Sequence, residues 1–274
     1  ENLAFGVDFW SFKQENVIDN FGVEEALAID FLLRKEGSSS PNVIRAAVTD
    51  DDIAFFDAWN AANPDDVRPV AGKVLRVLDS YENLDPRTVS GIEYHLDAVF
   101  DAGDAGTFSV SAEMSRVREW KQRRQTFDQF CSDADGDIGV PGFNPCGILS
   151  PNQLRINGKP EWRSSGSVRW RKGDLGASLS FRHISDFIDT SADQLEDASG
   201  NTIPWIVDSW TTFNASFDYR LNDILGADSA RLRIGAINFT DQDPSFAGDT
   251  SRGYFSSYHN NRGRTWYAEL RASF

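Results

Sequence analysis

Apolar and polar residues alternate one for one through most of this chain. "NLAFGVDFWSF" sets Leu3, Phe5, Val7 and Phe9 against Ala4, Gly6, Asp8 and Trp10. "RTVSGIEYHLDAVF" carries Ile92, Tyr94, Leu96, Ala98 and Phe100 on one side, with Gly91, Glu93, His95 and Asp97 on the other. The pattern returns in "TFSVSAEMSRV", "EWRSSGSVRWRKG", "DLGASLSFRHISDF", "TTFNASFDYRL", "ARLRIGAINFTD" and "GRTWYAELRASF". Successive side chains of a strand point to opposite faces, so each stretch predicts a strand with one apolar and one polar face. Eight such strands are predicted, with "VLRVLDSYENLD" read as an irregular extension of the second.

Between them the connections are long and short in turn. "DAGDAG", the turn near Gly173 and "NDILGADS" are short. The first long connection holds "VEEALAIDFLLRKEG" and "DDIAFFDAWNAA", whose helical spacing and acidic first turns predict two helices. Alternating strands alone suit a large soluble sandwich equally well. Four further features favour an antiparallel transmembrane barrel. Loop lengths alternate as they do in barrels with short periplasmic turns and long extracellular loops. The strand lengths match what a tilted strand needs to cross about 30 Å of hydrocarbon. The polar face carries Arg163, Arg169 and Arg171, a ladder that a watery lumen would hydrate without partners and a dry core would not tolerate. Trp10, Trp162, Trp170, Trp210, Tyr219 and Trp266 fall near strand ends and read as an interfacial girdle.

Charge removes one class of partner. Acidic residues outnumber Lys and Arg 42 to 27, giving a net charge of -15, which argues against nucleic acid. No run approaches the length of a transmembrane helix, a test that cannot see strands. The start, "ENLAFGVDFW", is strand-like rather than a signal peptide, so the chain is expected to begin within the fold.

Candidate chemistry is sparse. Cys131 and Cys146 enclose one Gly/Asp/Pro-rich segment, and such an isolated pair reads as a disulfide made in an oxidising compartment, against two free thiols. Asp133, Asp135 and Asp137 in "DADGD" are candidate calcium ligands, since carboxylates on alternate residues can surround a hard cation; the Gly and distal Glu of a full calcium loop are missing at the usual offsets. Otherwise no cofactor is expected. His183 and Asp186 stand close in sequence without a nucleophile, and no catalytic constellation is found, so no enzyme is expected. For ligand capture the candidates are loop aromatics beside polar groups: Phe55, Phe56 and Trp59 in the first long loop, and Tyr254, Phe255, Tyr258, His259 and Arg262 in the last.

The runs "PEWRSSGSVRWRKGDLGASLSFRHI", "DSWTTFNASFDYRL", "RLRIGAINFTDQDPSF" and "GRTWYAELRASF" resemble, in order and spacing, the C-terminal barrel half of TonB-dependent outer-membrane receptors. "VDFWSFKQENVID" and "TVSGIEYHLDAVFD" extend the resemblance upstream, so that it covers nearly all of the 274 residues. Thr240 departs from the pattern, standing where Phe is common. The resemblance implies that residues 1–274 are the last eight strands of a roughly 22-stranded barrel in a Gram-negative outer membrane. No plug sequence is found in them. It implies a receptor that binds a siderophore, glycan or peptide at extracellular loops and imports it with energy from the TonB system. The alternative is a structural or adhesive barrel that transports nothing. It implies as partners the plug and remaining strands, the TonB complex reached through them, the barrel-assembly machinery, outer-membrane lipid, and a surface lipoprotein or other outer-membrane subunits. The aromatic ending, with Trp266, Ala268, Leu270, Ala272 and Phe274 at every second position, resembles the signal that the assembly machinery reads.

Overall fold

A computed structural model describes residues 2–20, 22–79, 81–132, 144–190, 195–196, 202–224, 227–248 and 252–274. Its main feature is one antiparallel sheet of eight strands, each paired with its neighbours in chain order. These are β1 (Asn2–Gln14), β2 (Arg87–Asp101), β3 (Thr107–Gln122), β4 (Trp162–Lys172), β5 (Leu175–Ile184), β6 (Trp210–Ile224), β7 (Ala227–Ile237) and β8 (Thr265–Ser273). All the strands expected from the alternation form. β1 and β8 are the two edges of the sheet.

The register gives the sheet two unlike faces. One row runs Leu3, Ala98, Val110, Val168, Leu179, Ala215, Ala236, Trp266 across all the strands, apolar throughout. One residue along, on the opposite face, the row reads Asn2, Val99, Ser109, Arg169, Ser178, Ser216, Gly235, Tyr267. The apolar face is uncovered: Leu3 is 75%, Leu179 45% and Trp266 72% exposed. A sandwich would bury this face under a second sheet, and a soluble monomer seldom leaves so broad a contiguous apolar patch in water. Lipid is the solvent that suits it.

Rings gather at both ends of the apolar face. Toward the short turns, Phe100 and Phe108 stack at 5.2 Å, and Trp170 donates its indole N–H to Ala105 of the adjacent turn at 2.6 Å. Toward the long loops, the Arg116 guanidinium lies 4.7 Å over the Trp162 ring, and Trp266 opens the last strand. The expected girdle therefore loses two members. Trp10 pairs with Gly91 and Trp210 with Ile184, both in rows of the polar face, and Trp210 is buried. Side-chain parity, not nearness to a strand end, decides which rings meet the membrane boundary. At Gly91 an added Cβ would stand 2.5 Å from Trp10 Cζ2, so the missing side chain is what lets the indole lie flat against β2.

Above the sheet the long connections fold on themselves. The first contains helices α1 (Val23–Lys35) and α2 (Asp50–Ala62), as the acidic first turns predicted. α2 starts with a capping box in which the Thr49 hydroxyl accepts from the Asp52 N–H and the Asp52 carboxylate accepts from the Thr49 N–H. "VLRVLDSYENLD" splits into two short strands. Tyr81–Leu84 pairs with Val17–Asn20 and prolongs the β1–β2 hairpin, whereas Val74–Val77 pairs with Val43–Arg45 inside the loop. The second long connection carries α3 (Gln125–Phe130) and α4 (Pro145–Ile148).

Candidate functional site

Two small cores organise the loops, and they decide which candidate residues reach the surface. In the first, Ala28 and Leu32 of α1 pack on Phe127, Cys146 and Leu149 of the second long connection. Cys131 and Cys146 are bridged, with Cα atoms 5.7 Å apart, and the disulfide lies against this core. An ion pair from Arg124 to Glu25, at 2.8 Å and with both side chains mostly buried, joins the same two loops. Burial raises the Glu25 carboxyl above its ordinary range even though Arg124 pulls it down. Asp30, fully buried on α1, accepts from the Ser40 N–H at 3.0 Å and from Arg45 Nε at 2.9 Å, fixing the chain that leaves the helix.

The second core is built from Phe187, Val207 and Ala247, with Trp205 and Phe255 against it. It draws the third and fourth long connections together. Phe255 meets Phe187 edge-on at 5.0 Å, Tyr258 approaches the same ring at 6.5 Å, and His259 stacks on it at 6.4 Å while meeting Trp210 at 5.2 Å. His259 is buried with neither ring nitrogen bonded to another described residue. Burial, reinforced by the charge of Arg182, lowers its pKa and favours the neutral ring.

The predicted ligand residues thus fall into separate groups. Phe255, Tyr258 and His259 come together with Phe187 and Trp210, and their rings are engaged in loop packing. Arg262 is exposed on the same connection, and the Tyr254 hydroxyl reaches Asn261 at 3.4 Å. Phe55, Phe56 and Trp59 sit on α2. Phe55 is 62% exposed and meets Phe56 edge-on at 5.3 Å. Trp59 turns inward under the Arg68 guanidinium, 4.1 Å from it, and donates to the Asp66 carbonyl at 3.3 Å. Ile53 and Val67 are also exposed on the same helix–loop unit.

Other candidates separate cleanly. His183 shares a hydrogen bond of 2.7 Å with the Thr211 hydroxyl, while Asp186 pairs with Arg155, so the two are not partners of each other. Asp133, Asp135 and Asp137 lie outside the described residues; among the described residues no group of three His, Cys, Asp or Glu is placed to hold a metal ion.

On the polar face the charges divide between two ends of the sheet. Asp8, Glu93, His95, Asp97 and Glu113 lie on β1 to β3, with His95 Nδ1 3.6 Å from Asp8. Arginines concentrate on β4 to β7, and the expectation of an unpartnered ladder needs correcting at Arg171. Asp218 of β6 receives Arg171 of β4 at 3.0 Å and Arg231 of β7 at 2.7 Å. Arg171 reaches over β5 because residue 176 is glycine: a Cβ there would stand 2.7 Å from Arg171 Nη2 and 2.8 Å from Asp218 Oδ1. The sequence offers Asp218 as one polar-face residue among several, and only the cross-strand register reveals its partners. Phe187, the centre of the second loop core, carried no periodic signal either.

No family model matches the chain, and no curated protein matches it. Among solved structures it is similar to a mutant of the ferric enterobactin receptor PfeA of Pseudomonas aeruginosa, at 14% identity and a TM-score of 0.48, over 99% of this chain and 29% of that one. It is similar to the ferric citrate transporter FecA at 19% identity and a TM-score of 0.41, over 68% of this chain and 24% of that one. The ferric-catecholate import receptor Fiu of E. coli K12 gives 15% identity and a TM-score of 0.41, over 70% and 21% of the two chains. This chain spans less than a third of the length of each of them.

Proposed function

We propose that the chain is the C-terminal part of a TonB-dependent outer-membrane receptor, which captures a nutrient at its extracellular loops and imports it with energy delivered through TonB. The observation that carries this reading is the two-faced sheet: an uncovered apolar row crosses all eight strands beside a hydrated polar row, with short turns at one end and folded loops at the other. That arrangement supports a lipid-facing wall. The ordered words "RLRIGAINFTDQDPSF" and "GRTWYAELRASF" narrow the barrel to this receptor class by resemblance. In the working receptor the remaining strands and a plug complete the pore, and the plug reaches the TonB complex. The loop surface offers Phe55, Tyr254 and Arg262 to a ligand of the siderophore, glycan or peptide kind, with Phe56, Trp59, Phe255, Tyr258 and His259 shaping it from behind. The closing residues Trp266 to Phe274 serve the assembly machinery, whose task is to capture an apolar edge before it aggregates.

The test uses the full-length gene product. Receptor recovered from the outer-membrane fraction in heat-modifiable form should bind the purified periplasmic domain of TonB. Outer-membrane recovery without TonB binding would leave the alternative, a structural or adhesive barrel. Recovery in the soluble fraction would overturn the barrel reading.

A further inference from the structure

One side chain of the second loop core differs in kind from the rings around it. His259 is 4% exposed, neither of its ring nitrogens has a partner among the described residues, and the Trp210 indole N–H beside it has none either. The imidazole stacks on Phe187 of the third long connection and meets Trp210 at the start of β6. It therefore sits where the fourth connection touches both the third and the wall. Three hydrogen bonds complete the join: Trp205 Nε1 donates to the Phe246 carbonyl at 3.0 Å, the Asp208 N–H to the Ser245 hydroxyl at 3.2 Å, and the Gly248 N–H to Asp189 at 2.8 Å. The charge that acts on His259 is a cation, Arg182 of β5. The carboxylates nearby in sequence are engaged elsewhere: Asp186 pairs with Arg155, Asp189 accepts from Gly248, Asp208 from Ser245, and Asp241 pairs with Arg264. A protonated ring would thus hold a full charge and two N–H donors without acceptor or counter-ion among the described residues. The faces of Phe187 and Trp210 attract a cation, but they satisfy neither donor.

We propose that His259 is an acid-operated release for the third and fourth loops, which part from each other and from Trp210 together when the ring takes up a proton. The inference rests on the receptor reading above and adds a regulation to its loop surface, since Tyr254 and Arg262 belong to the released connection. The direction follows from burial and from Arg182, which both lower the pKa of the closed ring, whereas the opened ring regains the ordinary histidine value near 6.5 in water. Acid therefore favours the open form. Below about pH 6.5 each further unit raises the opening constant about tenfold, until the closed ring itself protonates. The two loops go together because Phe187 is shared: His259 and Phe255 of one connection and Val207 of the other pack on it, so loosening either uncovers the rest. Release should stop there. The first loop core contains no histidine and is closed by the Cys131–Cys146 bridge, and the other two histidines, His95 and His183, lie on strands.

Hydrogen exchange in the full-length receptor, held in outer-membrane vesicles, reads the opening directly once rates are corrected for the intrinsic effect of pH. The reporters are the amides of Ile188 and Asp208 on the third connection and of Gly248 and His259 on the fourth. Their opening should rise together, up to about tenfold, between about pH 6.5 and 5.5, while the amides of Cys131 and Leu149 in the first loop core stay level. His259→Phe keeps the ring contacts and should abolish the response. Arg182→Gln, a change on the wall, should weaken the response without altering protection at neutral pH, and it decides the matter should His259→Phe fail to fold. A flat profile, a response confined to one loop, or a full response in Arg182→Gln would overturn the proposal. So would a response that survives in His259→Phe, which would assign the proton to another group such as Asp189. The measurement needs neither ligand nor TonB. A protein that fails to bind the TonB domain yet opens both loops in acid leaves the release standing, and one that binds the domain while its loops ignore pH removes the release alone.

Discussion

Val168 and Phe187 are both apolar and stand on neighbouring elements of one chain, yet their surroundings are opposite. Val168, in the middle of β4, is 41% exposed on a face where every neighbour in its row is also apolar. Phe187, just past the end of β5, is fully buried among Val207, Ala247 and Phe255. The loops behave as ordinary water-soluble protein, turning apolar groups inward and polar ones out. The sheet turns its apolar groups out, and nothing among the described residues covers them. One polypeptide is therefore built for two solvents, and the boundary between them runs through the ring-rich strand ends.

Four changes should break or sharpen that contrast. The largest effect is expected at Phe187→Ala, which empties the centre of the second loop core and should cost about 4 kcal/mol locally. The third and fourth loops should become sensitive to added protease while heat-modifiable receptor still forms; equal loss of both would mean that loops and wall fold as one unit. Next comes Val168→Arg, a charge placed toward the middle of the lipid-facing row, at about 3 kcal/mol. Its neighbour Ser167→Arg, on the watery face, should change denaturant stability in bilayers far less, and equal penalties would mean that the two faces are not solvated differently.

A smaller effect is expected at the chain's end. Phe274→Asp should lower the yield of folded receptor in the outer membrane more than Ser273→Asp does. Near the interface the stability cost is only about 1 kcal/mol, so loss of recognition during assembly should dominate. Matching yields would return "WYAELRASF" to being an ordinary amphipathic strand.

The subtlest effect is on pH. Burial holds His259 neutral and lowers its pKa in the folded loops, so the unfolded loops bind a proton first as the solution is acidified. Stability of the fourth loop should be complete above the ordinary histidine range, near pH 6.5, and decline as pH falls through and below it. His259→Phe keeps the ring contacts with Phe187 and Trp210 and should flatten that profile in hydrogen exchange. An unchanged slope would assign the titration to another group.

Much of the wall could be read from the sequence because a strand's period of two is a local property. Leu232, Ile234 and Ala236 announce their face without reference to any other strand. The helices were legible for a similar reason, their acidic first turns lying beside their own apolar spacing. What depended on distant pairing was not legible. Trp10 and Trp210 were placed by nearness to strand ends, although their parity sends them to the polar face. His259 was read as a ligand group because rings and donors cluster around it in sequence, and its burial depends on Phe187 and Trp210 from earlier segments. Arg171 looked unpartnered because it and Asp218 lie on strands separated by β5, and only Gly176 between them makes the contact possible.

That contact also acts as a check on alignment. A one-residue slip of β6 would turn its whole apolar row toward water, so it is excluded by solvation alone. A two-residue slip keeps each face correct and would escape that test. It would, however, move Asp218 by about 7 Å along the strand, out of reach of Arg171 on one side and Arg231 on the other, leaving one buried carboxylate and two cations unmatched at once. The pair of arginines on a single acid thus acts as a vernier, marking the one setting among the even shifts in which β4, β6 and β7 agree.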